Sequence, residues 1–180
     1  MRIISGTYKG RVIRPPANLP VRPTTDFAKT GLFNILENKF PLEIYDCLDL
    51  FSGTGSISLE LASRGCKYIT SIDQDQKCVV FLRKTTGELG IKNLTAHRSD
   101  AITFLKKTPS VFNLIFADPP FDSAIHEELH EIIFGKKLLK PDGVFILEHA
   151  SRVNFEQLKG FEFSRKYGNV TFSFFFNIAS

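Results

Sequence analysis

The chain predicts an α/β fold built on a doubly wound, mostly parallel sheet that closes with an antiparallel C-terminal hairpin. Three observations carry that expectation. From Tyr45 onward, short apolar runs alternate with stretches of helical periodicity, the pattern of βαβ units, whose crossovers make neighbouring strands parallel. The first four of those runs finish at or beside an acid: Asp49, Asp73, Asp100 and Asp118. Near the end, Phe161–Tyr167 and Val170–Ile178 are two β-rich runs around Gly168-Asn169, a pair suited to a tight positive-φ hairpin turn.

In chain order, Arg2-Ile3-Ile4 and Arg11-Val12-Ile13-Arg14 flank Gly6–Gly10 as a short hairpin, and Pro15, Pro16 and Pro20 impose an irregular passage after it. Thr24-Thr25-Asp26 supplies N-cap oxygens for a helix whose apolar positions are Ala28, Leu32, Ile35 and Leu36. Strands are expected at Tyr45–Leu50, Tyr68–Ile72, Leu94–His97, Val111–Ala117 and Val144–Leu147. Helices are expected at Ser56–Arg64, Gln76–Leu89, Ala101–Lys107 and near Ser123–Lys137, with Lys140-Pro141-Asp142-Gly143 as a turn into the fifth strand. Phe172, Phe174, Phe175 and Phe176 read as residues of a strand buried on both faces.

At 180 residues and 43% hydrophobic composition this is a single globular domain, 1–180. No run reaches the roughly 18 apolar residues of a membrane helix, and the N-terminus lacks the apolar core of an export signal. Cys47, Cys66 and Cys78 are an odd count without a C-x-x-C pair, which reads as buried thiols in a cytoplasmic protein with neither zinc nor disulfides. The net charge of +4 is uneven. Seven cations against Asp26 and Glu37 give residues 1–40 a charge of +5, so the remainder sums to −1. A basic extension, 1–40, on a near-neutral core, 41–180, points to a polyanionic partner.

The chemistry concentrates in two loops. Asp49-Leu50-Phe51-Ser52-Gly53-Thr54-Gly55-Ser56 closes the first strand and opens the first core helix, where glycines allow a sharp turn and close ligand approach. A nicotinamide dinucleotide fits poorly, because the third small position of its fingerprint is Ser58 and because Asp49 suits a cationic amino group better than a pyrophosphate. Asp73 can accept both hydroxyls of a ribose, Asp75 reads as a helix N-cap, and Ser99-Asp100-Ala101 places an acid where an adenine amino group can donate. At the tip of the fourth strand, Asp118-Pro119-Pro120-Phe121 sets a carboxylate and bare carbonyls beside an aromatic ring on a stiff loop.

These residues together resemble a class I S-adenosylmethionine-dependent methyltransferase: Asp49-x-Phe51-x-Gly53-x-Gly55, Asp73, Asp100 and Asp118-Pro119-Pro120-Phe121 fall in that order and spacing. The resemblance narrows to the RsmD family of bacterial 16S rRNA guanine-N2 methyltransferases. It does so through Met1-Arg2-Ile3-Ile4-Ser5-Gly6-x-x-Lys9-Gly10-Arg11, Arg22-Pro23-Thr24-Thr25-Asp26, Leu32-Phe33-Asn34-Ile35-Leu36 and Asp49-Leu50-Phe51. Phe27 and Thr30 depart from it, standing where the family more often shows a base and a glutamate. The resemblance implies a Rossmann-like, seven-stranded fold and S-adenosyl-L-methionine as cofactor, held by Asp49, Phe51, Gly53, Gly55, Asp73, Asp100, Ala101 and Asp118. It implies 16S rRNA in an assembling or assembled small subunit as partner, no metal or membrane, and a monomer.

Asp118 and the Pro119 carbonyl would each accept a hydrogen from an exocyclic amino group, favour a pyramidal nitrogen and aim its lone pair at the methyl. Pro120 stiffens the loop and Phe121 would stack on the base, which must leave its helix to arrive. Arg2, Lys9, Arg11, Arg22 and Lys29 are the expected phosphate contacts. The rival readings are an adenine-N6 methyltransferase on DNA or RNA, using the same loop, and a non-catalytic RNA-binding module.

Overall fold

The computed structural model describes residues 1–19, 24–120 and 124–177, so Arg22 and Phe121 lie outside the described residues. Seven strands form one sheet in the order β3-β2-β1-β4-β5-β7-β6. They are β1 (Asp46–Leu50), β2 (Tyr68–Asp73), β3 (Leu94–Arg98), β4 (Phe112–Ala117), β5 (Leu139–Ala150), β6 (Phe161–Tyr167) and β7 (Val170–Phe176). The first five are parallel, whereas β7 runs antiparallel to both β5 and β6. The final hairpin therefore folds back, and β7 inserts between β5 and β6. That position explains the phenylalanines: Phe172, Phe174 and Phe175 are fully buried inside a sheet covered on both faces, and only Phe176 at the strand end is partly open.

The helices are α1 (Asp26–Lys39), α2 (Ser56–Ser63), α3 (Gln76–Leu89), α4 (Ala101–Lys107) and α5 (Ala124–Gly135). Caps expected from the sequence are in place, with Thr25 Oγ1 accepting from Ala28 N at 3.2 Å and Asp75 from Lys77 N at 2.7 Å. One face of the sheet packs on α1, α2 and α3 through Leu32, Phe33, Leu59 and Leu82; the other packs on α4 and α5 through Leu105, Leu129 and Ile133. The three cysteines are buried and free, with the Cys47 and Cys66 sulfurs 3.8 Å apart. Among the described residues no helix is long and apolar enough to cross a membrane.

One expectation needs correction and another is refined. Lys140-Pro141-Asp142-Gly143 is not a turn ahead of a four-residue strand. It is a bulge within the 12-residue β5, where the β4 register jumps from Phe112↔Leu139 to Leu114↔Val144 and Asp142 takes a φ of 59°. The N-terminal hairpin forms but is shorter than its runs suggest: Ile3 N donates to Arg11 O, Gly10 N to Ile3 O and Ile13 N to Met1 O around the single bridge Arg2↔Val12, while the backbone from Ile4 turns to α2. Ile4 N and Ser5 N donate to Glu60 at 2.9 and 3.0 Å, and Tyr8 N donates to Ser63 Oγ at 2.9 Å. Ile3 and Ile13 sink into the same apolar cluster as α1, so the basic extension shares the core of the domain.

Candidate functional site

The chain begins its sheet at β1, winds outward through β2 and β3, then crosses back to β4. A crevice must open at the carboxyl edge between β1 and β4, where successive loops part in opposite directions. Register fixes which side chains face it. Ser71, Asp49, Phe116 and Ile146 stand opposite one another across β2, β1, β4 and β5, so they share a face. Asp73, Asp118 and Glu148 follow two residues later on their strands and project to that same side. Sheet geometry alone thus gathers four carboxylates at one end of one face.

A cavity of about 400 Å³ occupies this edge. Of the residues predicted for the site, Asp49, Phe51, Gly53, Asp73, Asp100, Ala101, Asp118, Pro119 and Pro120 all line it. Gly55 does not. It caps α2 with a φ of 84°, and a Cβ there would stand 2.4 Å from Leu82 Cδ1, so this glycine shapes the loop and seats α2 against α3. Phe51 also sits at positive φ, 62°, which a non-glycine residue adopts at a cost.

Asp73 is the keystone of the loop. Its Oδ2 accepts from Gly53 N and its Oδ1 from Asp75 N, both at 2.8 Å, which leaves lone pairs for ribose hydroxyls. Asp100 caps α4, accepting from Thr103 N at 2.8 Å, and also lines the cavity, so capping does not remove it from the ligand's reach.

Asp49 is buried, and its only hydrogen-bond partner among the described residues is Ser58, whose hydroxyl also meets Ser71 Oγ at 2.6 Å. Ser58 is therefore not a failed dinucleotide glycine; it holds the Asp49 carboxylate. Burial pushes the Asp49 carboxyl up to about 7, and the Asp118 and Asp73 charges push the same way. Burial likewise raises Asp118 to about 7. A concave site lined with carboxylates that resist ionisation is short of one thing, a cation. Ser56 Oγ, at the first turn of α2 in the same cavity, is buried with no partner among the described residues, and the positive end of α2 lies beside it. An amino-acid ligand would satisfy both, its ammonium on Asp49 and its carboxylate on Ser56 and the helix end, and a sulfonium would add a second positive charge. The residues present fit S-adenosylmethionine.

Several contributors were not read from the sequence. Thr24 lines the cavity and donates to Glu148 Oε2 at 3.1 Å. Glu148 is buried, and burial, then Asp118, raises it to about 8. Its signal was available, since an acid follows the fifth apolar run just as Asp118 follows the fourth. Thr54 and Gln74 complete the rim, and Thr54 Oγ1 reaches Met1 Sδ at 3.5 Å, which brings the basic extension to the glycine loop.

Arg2, Lys9 and Arg11 are exposed. Lys29 is not, and its assignment as a phosphate contact is corrected. It is 1% exposed, with Nζ 2.7 Å from Arg2 O and 3.4 Å from Glu60 Oε2. Glu60 is itself fully buried and also accepts from Arg64, which stacks on Phe33 and pairs with Glu37 at 2.6 Å. Lys29 neutralises a buried glutamate, and desolvation lowers its pKa despite that partner.

Comparison with known proteins adds a family and several relatives. A family model described as Conserved hypothetical protein 95 matches residues 1–176. The chain is 32% identical to a Buchnera aphidicola protein named ribosomal RNA small subunit methyltransferase D, across 86% of this chain and 78% of that one. It superposes on the Escherichia coli protein yhhF with a TM-score of 0.86 at 28% identity, covering 100% and 99% of the two chains. A Thermus thermophilus 16S rRNA N2 methyltransferase in complex with AdoMet and guanosine shares the fold, with a TM-score of 0.69 at 22% identity over 87% of this chain and 44% of that one.

Proposed function

The chain belongs to the Conserved hypothetical protein 95 family and is an S-adenosylmethionine-dependent rRNA methyltransferase, and we propose that the atom it modifies is the exocyclic N2 of a guanine in 16S RNA. The observation that carries this reading is the placement of Asp118 beside the cavity that Asp49, Ser56 and Asp73 shape for the cofactor. The substrate is an assembling or assembled small subunit, approached by the exposed cations Arg2, Lys9 and Arg11. On the family resemblance the enzyme works in the cytoplasm as a monomer without a metal.

S-adenosylmethionine supplies an electrophilic methyl on a sulfonium, so the protein's task is to position and activate a weak nucleophile. An exocyclic amino nitrogen is weak because its lone pair is spread into the ring. Asp118 Oδ and the Pro119 carbonyl accept one hydrogen each from that nitrogen, which localises the lone pair and offsets charge as the new N–C bond forms. Pro119 and Pro120 fix both acceptors without a backbone donor to compete. Stacking by Phe121 is part of the proposal, although that residue lies outside the described ones.

The test uses small subunits from a strain lacking the enzyme, incubated with radiolabelled cofactor and digested to nucleosides. Wild type should yield labelled N2-methylguanosine, and Asp118→Ala should lose transfer while retaining cofactor affinity. Label in N6-methyladenosine, or transfer by Asp118→Ala at the wild-type rate, overturns the assignment.

A further inference from the structure

Phe27 is the most exposed large hydrophobic side chain among the described residues, at 70%. It stands where the family more often carries a base, three residues after Thr24 at the cavity rim. It also opens a second groove, about 460 Å³, that runs along the outer stripe of α1 through Gly31, Asn34 and Asn38 to Lys39. Twelve residues at 1.5 Å each make that stripe about 18 Å long.

Tyr167 of β6 forms the opposite wall. Its ring meets Phe27 edge-on, with centroids 5.6 Å apart at 80°. It lies so close to α1 that a Cβ on Gly31 would stand 2.1 Å from Tyr167 Cε1, so glycine at position 31 lets the Tyr167 ring seat against the helix. On β6 the residues Phe163, Arg165 and Tyr167 alternate toward α1, while Glu162 and Lys166 point away. Lys39 Nζ and the Arg165 guanidinium both sit on the Phe163 ring, at 5.3 and 4.8 Å. The groove thus begins at the exposed Phe27 ring, three residues from Thr24 of the active-site cavity, continues past Ile35 and the amides of Asn34 and Asn38, and ends at Lys39, with Arg165 on the same Phe163 ring; among the described residues no acid lines it.

We propose that this groove holds a single-stranded segment of the substrate RNA flanking the target nucleotide, with one base stacked on Phe27 and the backbone led toward Lys39 and Arg165. The inference rests on the rRNA methyltransferase reading and extends it. An aromatic face stacks on any base, and the cations at the far end complement phosphate. The groove itself is mostly apolar, walled by Phe27, Ile35 and Tyr167, and the cations at its end are what favour a nucleic-acid segment over an apolar partner.

The experiment measures binding of 16S rRNA and of small subunits by filter retention, alongside methyl transfer. Phe27→Ala should weaken RNA binding and raise the RNA KM by about 5- to 150-fold, the span of base–aromatic stacking. Its kcat and cofactor affinity should stay at wild-type values. Phe27→Trp should restore binding and Phe27→Leu should not, because leucine keeps apolar bulk without a π face. Equal RNA affinity for wild type and Phe27→Ala, or full rescue by Phe27→Leu, overturns the inference. So does an effect seen with subunits and absent with naked rRNA, which would place a ribosomal protein in the groove. In each of these cases methyl transfer by the wild type still stands, whereas a wild type that neither binds nor methylates rRNA refutes the underlying reading as well.

Discussion

Cofactor binding to this site should be linked to protons, with a sign fixed by the raised carboxyl pKa values. Asp49 sits at about 7 in the free protein because it is buried among other acids without a cation. A ligand ammonium binds the ionised form, so affinity rises with pH until the ligand's own amino group deprotonates. With the carboxyl at about 7, its ionised fraction climbs from about one-tenth near pH 6 to about three-quarters near pH 7.5. An α-amino group of pKa about 7.7–8.0 stays mostly protonated over that range, so affinity should grow about five-fold. Near neutrality each binding event should release about half a proton from Asp49, with more if Asp118 ionises as the sulfonium arrives. Titration calorimetry in two buffers of different ionisation enthalpy counts those protons directly. Asp49→Asn should bind more weakly and lose its share of the proton release. Affinity that is flat between about pH 6 and 7.5, or unchanged proton release in Asp49→Asn, would refute the placement of the ammonium on Asp49.

Two further outcomes follow from buried charges. Glu60→Ala strands Lys29 in the core and frees the Ile4 and Ser5 amides, at a cost of about 3–5 kcal/mol, or a melting temperature about 6–20 °C lower by circular dichroism. Adding Lys29→Met should recover part of that loss, and an unaltered melting temperature in the single variant would contradict the burial argument. Glu148, raised to about 8 when folded, carries a proton in the cofactor-free protein that the unfolded chain has already released, so its contribution is full below about pH 4 and is lost as pH rises through about 8. The melting temperature of Glu148→Gln relative to wild type should therefore increase from about pH 5 to pH 8. A constant difference across that range would place Glu148 in contact with solvent.

Much of this was legible in the sequence because local pattern and global fold agree. Alternation of apolar runs and helical periodicity dictated the parallel sheet, and acids at strand ends marked its carboxyl edge before any coordinates. What escaped depends on contacts between residues distant in the chain. Lys29 looks like any other cation of a basic segment, and only Glu60, 31 positions away and buried, makes it structural. Ser58 reads as a missing glycine until the Asp49 carboxylate is seen on its hydroxyl. Residues 140–143 have turn chemistry and do turn, but inside a strand that resumes its pairing beyond the bulge. Gly55, expected at the cofactor, stands off the cavity lining and seats α2 against Leu82, a position that a spacing motif cannot foretell.

The deeper consequence concerns α2, which serves both halves of the reaction. Its first residue, Ser56, turns a hydroxyl with no partner among the described residues into the proposed cofactor cavity. One turn on, Glu60 grips the backbone at Ile4 and Ser5 and the ammonium of Lys29, and the last residue, Ser63, takes the amide of Tyr8. The N-terminal cations proposed to meet RNA are thus anchored to the helix whose other end borders the proposed cofactor cavity, over little more than two turns of rigid backbone. Thr24 makes the same kind of link from the other side, joining the start of α1 to Glu148. A basic arm hung on a flexible linker would raise the local concentration of RNA without orienting it. Here the arm is part of the core, so the surface proposed to gather RNA and the cavity proposed to hold the methyl donor keep a fixed relation. That is what in-line transfer to one amino group requires.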